Sequence, residues 1–207
     1  MPRIVTALLL VGILLDGCST VRTRMAEDPI SVHAYDSRVE MLGSLTDWAL
    51  IGRLAISDGS EGGSGNLSWA QVGLETQMSF RGALGKGAWQ LQSDESGARL
   101  ELANGTVSYA PTVDELVVEH VGWKVPVDAL SWWIKGLAQP GEWETRTLDQ
   151  EGRLTELRQF GWEVKFANYS GQDDAWLPKK LTAQRGHYQV KMAVRDWKLG
   201  PEGVPID

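Results

Sequence analysis

The chain has 207 residues, 43% apolar and 23% charged, which rules out wholesale disorder and is enough for one domain of ordinary size. Lys plus Arg number 20 against 27 Asp plus Glu, a net charge of -7, so the concentrated basic surface that phosphate contacts require is missing and nucleic acid is excluded as a partner. A single cysteine excludes an internal disulfide and any multi-cysteine metal site, and 23 glycines against 8 prolines favour tight turns over long helices.

The N-terminus reads as an address. Arg3 supplies a positive start, and Ile4 to Leu15 is apolar except for Thr6 and Gly12. That run is too short to cross about 30 Å of hydrocarbon as a helix and suits the apolar core of a signal peptide. It ends in Leu15-Asp16-Gly17-Cys18, which resembles a bacterial lipobox, although Asp16 stands where a small or hydroxylated residue is usual. The resemblance implies that residues 1–17 are a lipoprotein signal peptide and that Cys18 is lipidated and begins the mature chain. An ordinary cleaved leader with an incidental cysteine is the alternative. Several acyl chains at one terminus hold a protein firmly to phospholipid, whereas one chain is marginal. Ser19, in place of Asp, resembles the outer-membrane address of Gram-negative lipoproteins.

Residues 18–31 are polar and aperiodic, and read as a flexible tether from the acylated Cys18. Val32, Tyr35, Val39 and Leu42 then share one helical face, with Ser31 as N-cap and an end near Gly43. Strand signals follow. Residues 50–57 alternate, Gly59 to Asn66 is a Gly/Ser loop, and Leu67, Trp69, Leu74, Thr76, Met78 and Phe80 continue a period of two. Further strands are predicted near Ala88–Gln92, Arg99–Ala103 and Thr106–Tyr109, with Asn104-Gly105 as a hairpin turn. Thr112-Val113-Asp114-Glu115 fits a capping box, although the β-branched residues beyond it suit a strand almost as well. Pro126 and Asp128 open a firmer helix whose stripe is Val127, Leu130, Trp133, Ile134 and Leu137, with Trp132 off the stripe and Pro140-Gly141 as terminator. Trp162, Val164 and Phe166 face one way and Glu163 and Lys165 the other; Leu177–Arg185 and Gln189–Trp197 complete a meander. The predicted class is mainly β, a sandwich or barrel-like antiparallel sheet with helical inserts, in a single domain over 32–200 before a polar tail at 201–207.

Catalytic groups are poorly supported. His33, His120 and His187 are isolated, no GxSxG elbow is present, and Asp94-Glu95, Asp114-Glu115 and Asp173-Asp174 read as solvated turn and cap carboxylates. The expectation is a protein that is not an enzyme and needs no metal or cofactor.

The run from Gly122 to Leu137 resembles the central signature of the LolB family of outer-membrane lipoproteins. Gly122, Val125-Pro126, Leu130, Trp133-Ile134 and Gly136-Leu137 carry that resemblance. Gly82-Ala83-Leu84-Gly85 falls in register with the family's exposed leucine loop, and Val194-Arg195-Asp196-Trp197 matches its last strand. The likeness spans roughly residues 32 to 199 in order and spacing. It implies a strongly bent antiparallel sheet, an incomplete barrel under a lid of short helices, with an apolar cavity for the acyl chains of lipoproteins in transit. It further implies a monomeric receptor in the outer membrane, facing the periplasm, that accepts acylated lipoproteins from a soluble LolA-like carrier and inserts them into the bilayer. Leu84 would be the membrane-inserting residue. Candidate cavity residues are Leu54, Ile56, Trp69, Met78 and Phe80 from early strands, Leu130, Trp133, Ile134 and Leu137 from the lid, and Trp162 and Phe166 from late strands. Ten tryptophans exceed what a core of this size needs, and wide rigid rings suit a cavity that must not collapse. The rival readings are a filled core in a structural lipoprotein, and a carrier of free lipid that ignores lipoprotein cargo.

Replacing Cys18 by Ala is expected to move the protein from the membrane to the soluble periplasmic fraction; unchanged membrane fractionation would refute lipidation at this residue.

Overall fold

The computed structural model describes residues 28–83, 87–122, 124–172 and 175–200. Cys18 with the leader and tether as far as residue 27, Leu84 in its loop, and the tail 201–207 lie outside the described residues.

Helix α1 (Pro29–Gly43) starts earlier than the expected Val32. The cause is local. Asp28 caps the helix, its carboxylate accepting from the Ile30 amide at 3.4 Å and from the Ser31 hydroxyl at 3.2 Å. Pro29 follows in the first turn, where its missing N–H costs nothing. Ser31, the expected cap, sits buried inside that turn.

Eleven strands then form one antiparallel sheet. In chain order they are β1 (Trp48–Ser57), β2 (Gly62–Val72), β3 (Glu75–Gly82), β4 (Trp89–Asp94), β5 (Gly97–Leu102), β6 (Val107–Ala110), β7 (Thr145–Leu148), β8 (Leu154–Gln159), β9 (Trp162–Gln172), β10 (Ala175–Arg185) and β11 (Tyr188–Leu199). The spatial order is β6-β5-β4-β3-β2-β1-β11-β10-β9-β8-β7. Two meanders therefore meet at β1 and β11, and β6 and β7 remain as unclosed edges among the described residues. The β1–β11 ladder shifts register between Ile51 and Gly52, which face Asp196 and Val194, so Arg195 is an extra residue in β11. A bulge of this kind bends a strand and tightens its twist, which a sheet of this width needs in order to curl.

The structure corrects two readings of this sheet. The glycine-rich run expected as a loop from Gly59 to Asn66 is a turn followed by strand, because Gly62 pairs with Ser57 and Gly65 with Leu54. A Cβ on Gly65 would stand 2.6 Å from Cζ of Phe80, so glycine here permits close strand approach. Strands β7 and β8 were not anticipated. The outward Thr145 and Thr147 and the polar residues of β8 hide the alternation.

The segment between the two edges is helical. Thr112 accepts from the Glu115 amide at 3.3 Å, which decides for helix at the capping box. Helix α2 (Val113–Leu116) runs into one π-helical turn, Val117–Val121, closed by Gly122 at φ 71°. Helix α3 (Val127–Trp133) is tied to α2 through Asp114, whose carboxylate accepts from the Val127 amide at 2.7 Å. α3 ends earlier than expected, at Gly136 and not at Pro140-Gly141. Gly136 has φ 74°, its amide donates to the Trp133 carbonyl at 2.8 Å, and the Leu137 amide donates to the Trp132 carbonyl at 3.1 Å. These two bonds satisfy the last carbonyls in a Schellman cap.

One hydrophobic core joins the inner faces of the strands to α1, α2 and α3. Trp132, off the stripe, is half-buried against the margin of this core, its ring edge near Gly43 of α1. Tyr35 of α1 accepts from the Ala138 amide at 2.9 Å, and Arg38 donates to the Trp176 carbonyl at 2.6 Å.

Gly136→Ala is expected to cost about 1–3 kcal/mol in urea denaturation. It forces a side chain into positive φ and sets a methyl 2.7 Å from the Tyr169 hydroxyl, which is held by its own bond to the Leu154 carbonyl.

Candidate functional site

Sheet connectivity places the turns β1–β2, β3–β4, β5–β6, β8–β9 and β10–β11 at one end of the curled sheet. The π-helical turn after α2 meets them there. Between these elements opens a cleft of about 820 Å³, within the usual range of about 300–1,000 Å³ for ligand sites.

Its wall is apolar, formed by Leu54 and Ile56 from β1, Phe80 from β3, Trp89 from β4 and Leu102 from β5. Phe80 and Trp89 stack with centroids 5.7 Å apart. Val121 and Tyr188 close the lid side. The rim is polar, with Asp58, Glu61, Asn104 and His120. Asp58 is committed to its turn: the Glu61 and Ser60 amides and the Ser60 hydroxyl donate to it at 2.7, 2.9 and 2.9 Å. They hold its carboxyl down at about 2, so it is charged at any physiological pH. Lys124 lies 4.7 Å over the Tyr188 ring at the lid edge.

Ala83, Gly87 and Ala88 also line this cleft. They flank the Leu84 loop, so that loop springs from the mouth, although Leu84 itself lies outside the described residues.

The predicted cavity residues divide into two groups. Leu54, Ile56 and Phe80 line the cleft. Trp69, Leu130, Trp133, Ile134, Leu137, Trp162 and Phe166 are brought together in the core beneath it, with the helical segment packed directly on them. Met78 is also buried, and borders a separate hollow of about 500 Å³ beside Gln77, Gln90 and Gln92. The sequence reasoning missed Trp89, Leu102 and Tyr188. Each was findable by period two, in phase with inward Leu91, Leu100 and Val190.

The tryptophans serve mainly as packing. Trp48 lies 5.3 Å from Trp69 and 5.7 Å from Trp197, plugging the end opposite the mouth. Trp133 of α3 rests 6.5 Å from Trp162 of β9.

Gln159 bolts the far end of the lid. It is fully buried, accepts from the Trp133 indole at 3.0 Å and the Gln139 amide at 3.1 Å, and donates to the Gln139 and Glu142 carbonyls at 2.9 and 3.1 Å. Lys135 beside it is buried, which pushes its amine down to about 8, and its nitrogen lies 4.7 Å over the Trp132 ring. Among the described residues, no group of three His, Cys, Asp or Glu side chains is placed to hold a metal, and no helix is long and apolar enough to cross a membrane.

A curled open sheet, a helical segment joining its edges and an apolar cleft at one mouth define what to compare. The family model described as outer membrane lipoprotein LolB matches residues 46–197. The chain belongs to the LolB family. It is 37% identical over 193 residues to the outer-membrane lipoprotein LolB of Alkalilimnicola ehrlichii, covering 93% of this chain and 95% of that one. The Pseudomonas putida protein of the same name is 35% identical, covering 89% and 91% of the two chains, and that of Pseudomonas aeruginosa 31%, covering 89% and 91%. Among solved structures, a LolA superfamily protein from Nitrosomonas europaea shares the fold at a TM-score of 0.55 and 6% identity, over 83% of this chain and 94% of that one. The residues that carried the family resemblance are the framework of the lid. Gly122 and Gly136 terminate its helical turns, and Val125, Leu130, Trp133, Ile134 and Leu137 are the face it buries.

Gln159→Ala strands the Trp133 indole and the Gln139 and Glu142 groups. It is expected to cost at least about 2 kcal/mol and to accelerate amide exchange at residues 139–142 while leaving β1 and β2 protected.

Proposed function

We propose that this protein is an outer-membrane receptor for lipoproteins, tethered by an acylated Cys18 with its domain in the periplasm. It accepts acylated lipoproteins from a LolA-like carrier, holds their acyl chains in the apolar space between sheet and lid, and releases them into the bilayer.

The observation that carries this reading is continuity. The mouth cleft leads from the base of the Leu84 loop onto an apolar core roofed by a separate helical segment. The packed floor of Leu130, Trp133, Ile134 and Leu137 against Trp162 and Phe166 is then the closed state, and entry of acyl chains lifts the lid off it. The lid has an asymmetric hold. Gln159 and the Schellman cap fix its α3 end, whereas the π-helical turn and Gly122 border the cleft. Opening from the cleft side exposes apolar surface where a carrier's cargo would enter.

No nucleotide-binding motif supplies energy, so transfer runs downhill in affinity, each tenfold step being about 1.4 kcal/mol. The bilayer is the final sink, since burying an acyl chain there yields about 0.8 kcal/mol per CH₂. Leu84, beside Gly82 and Gly85 and near Lys86, is the residue that dips into the bilayer at release.

The test is a two-step transfer. Purified chain lacking residues 1–18 is mixed with a LolA-type carrier bearing a labelled lipoprotein, separated, and given liposomes. Label is expected to move onto this protein and then into the liposomes, and Leu84→Glu is expected to accept label but not deliver it. Label that stays on the carrier while this protein is folded would overturn the receptor reading. Binding of free phospholipid in that case would favour a lipid carrier, and no binding a structural lipoprotein.

A further inference from the structure

The β8–β9 hairpin carries a bulky apolar ring where the backbone disfavours one. Gln159 pairs with Trp162, so the loop is Phe160-Gly161, and both residues have positive φ, 54° and 72°. A two-residue turn of this kind favours Asn-Gly, because an aromatic residue in the left-handed region is strained. Phe160 is nevertheless 45% exposed.

Beside the tip runs a second exposed aromatic. The Glu144 amide donates to the Arg158 carbonyl at 2.9 Å, and the Gly161 amide to the Glu144 carboxylate at 3.1 Å. These bonds set the segment bearing Trp143, 39% exposed, alongside the hairpin.

The pairing ladder fixes where this tip lies. Glu163 faces Gln184, Arg185 faces Tyr188, and Gln189 faces Ser57. The tip is thus on the same rim as the β10–β11 and β1–β2 turns, with Gly82 at the end of β3 and Trp89 at the start of β4 further along it. Arg158 is paired with Glu163, the Glu144 carboxylate lies at the Gly161 amide, Arg185 packs beside Gly161, and the Arg146 guanidinium lies 4.9 Å over the Trp143 ring, so charges of both signs flank the tip.

We propose that Phe160, with Trp143 beside it, is a second point of contact with the lipid bilayer, separate from the Leu84 loop, and that the two together set the mouth of the cleft against the membrane. The role of the mouth rests on the receptor function proposed above; the contact itself does not. The occupant is a bilayer and not a protein groove because the hairpin apex carries an exposed ring, the adjoining segment an exposed indole under the Arg146 guanidinium, and these are the residue types that settle at the headgroup boundary. One apolar point on a rim leaves the molecule free to rock, and a second point further round the rim defines an orientation.

The full chain, acylated at Cys18, is reconstituted in phosphatidylethanolamine/phosphatidylglycerol vesicles without cargo or carrier. Cys18 is the native cysteine and is blocked by acylation, so Phe160→Cys introduces a thiol for an environment-sensitive fluorophore. Leu74→Cys, on the β2–β3 turn at the opposite end and 69% exposed, is the comparison. Quenching by spin-labelled lipid is expected to be at least about twofold stronger at 160 than at 74. Equal quenching at the two positions overturns the proposal. Phe160→Asn is expected to raise Tm by relieving the backbone, to accept cargo like the wild type, and to deliver it several-fold more slowly. Wild-type delivery by Phe160→Asn also overturns it. A wild type that accepts no cargo defeats the receptor function, and the quenching result then judges the membrane contact by itself.

Discussion

Residues 111–144 have to cross from one edge of the sheet to the other. Every other connection is a turn between neighbouring strands, so the whole topological cost of an eleven-stranded meander falls on this one link between β6 and β7. A sheet that wide cannot stay flat, and once it curls, its edges approach each other across a gap lined with inward side chains. The link spans the gap and must be apolar on the face it turns inward. Val125, Leu130, Trp133, Ile134 and Leu137 meet that demand. The lid is thus not an ornament added to a barrel; it is what an open, curled sheet requires to cover its inner face.

Packing is graded along the axis of the curl. At one end Trp48, Trp69 and Trp197 fill the space with ring against ring. In the middle α3 lays Trp133 near Trp162. At the other end Phe80 and Trp89 are stacked, Phe80 half-buried and Trp89 buried, and both border the cleft. From that end inward, the aromatic wall of the cleft gives way to the packed helix α3. Polar bonds hold the helical segment unevenly. Gln159 satisfies all four of its groups on the α3 side, where breaking them would leave buried partners unpaired, while the π-helical side holds the lid with little more than apolar contact and the Asp114 bond.

Much of this was legible in the sequence, and the reasons are specific. Period-two alternation in 50–57 and in 162–166 marks half-buried strands, because side chains on a strand alternate faces whatever they pack on. Thr112 and Glu115 announce a helix start because the cap is a contact between residues three apart. The helix start at Asp28 was missed although it too is local, since the preceding polar run masked it. Strands β7 and β8 were missed because short strands with polar outer faces lack a clear period. The end of α3 was misplaced because Pro140-Gly141 is the louder signal, whereas Gly136 ends the helix by adopting positive φ against Tyr169, a residue far along the chain.

The sequence by itself determined the alternation of inward and outward residues, the apolar stripe of the lid, the caps that start its helices and the family to which the chain belongs. Each of these is written in spacings of a few residues or in an ordered signature. Only the tertiary structure decided which inward residues are floor and which are wall. Trp133 and Trp89 are equally apolar and equally inward, yet one is roofed and the other faces a cleft. Periodicity reports the direction of a side chain, and the distance to the opposite layer is set by how far the sheet curls and where the crossing segment lands, which depends on contacts between residues remote in sequence.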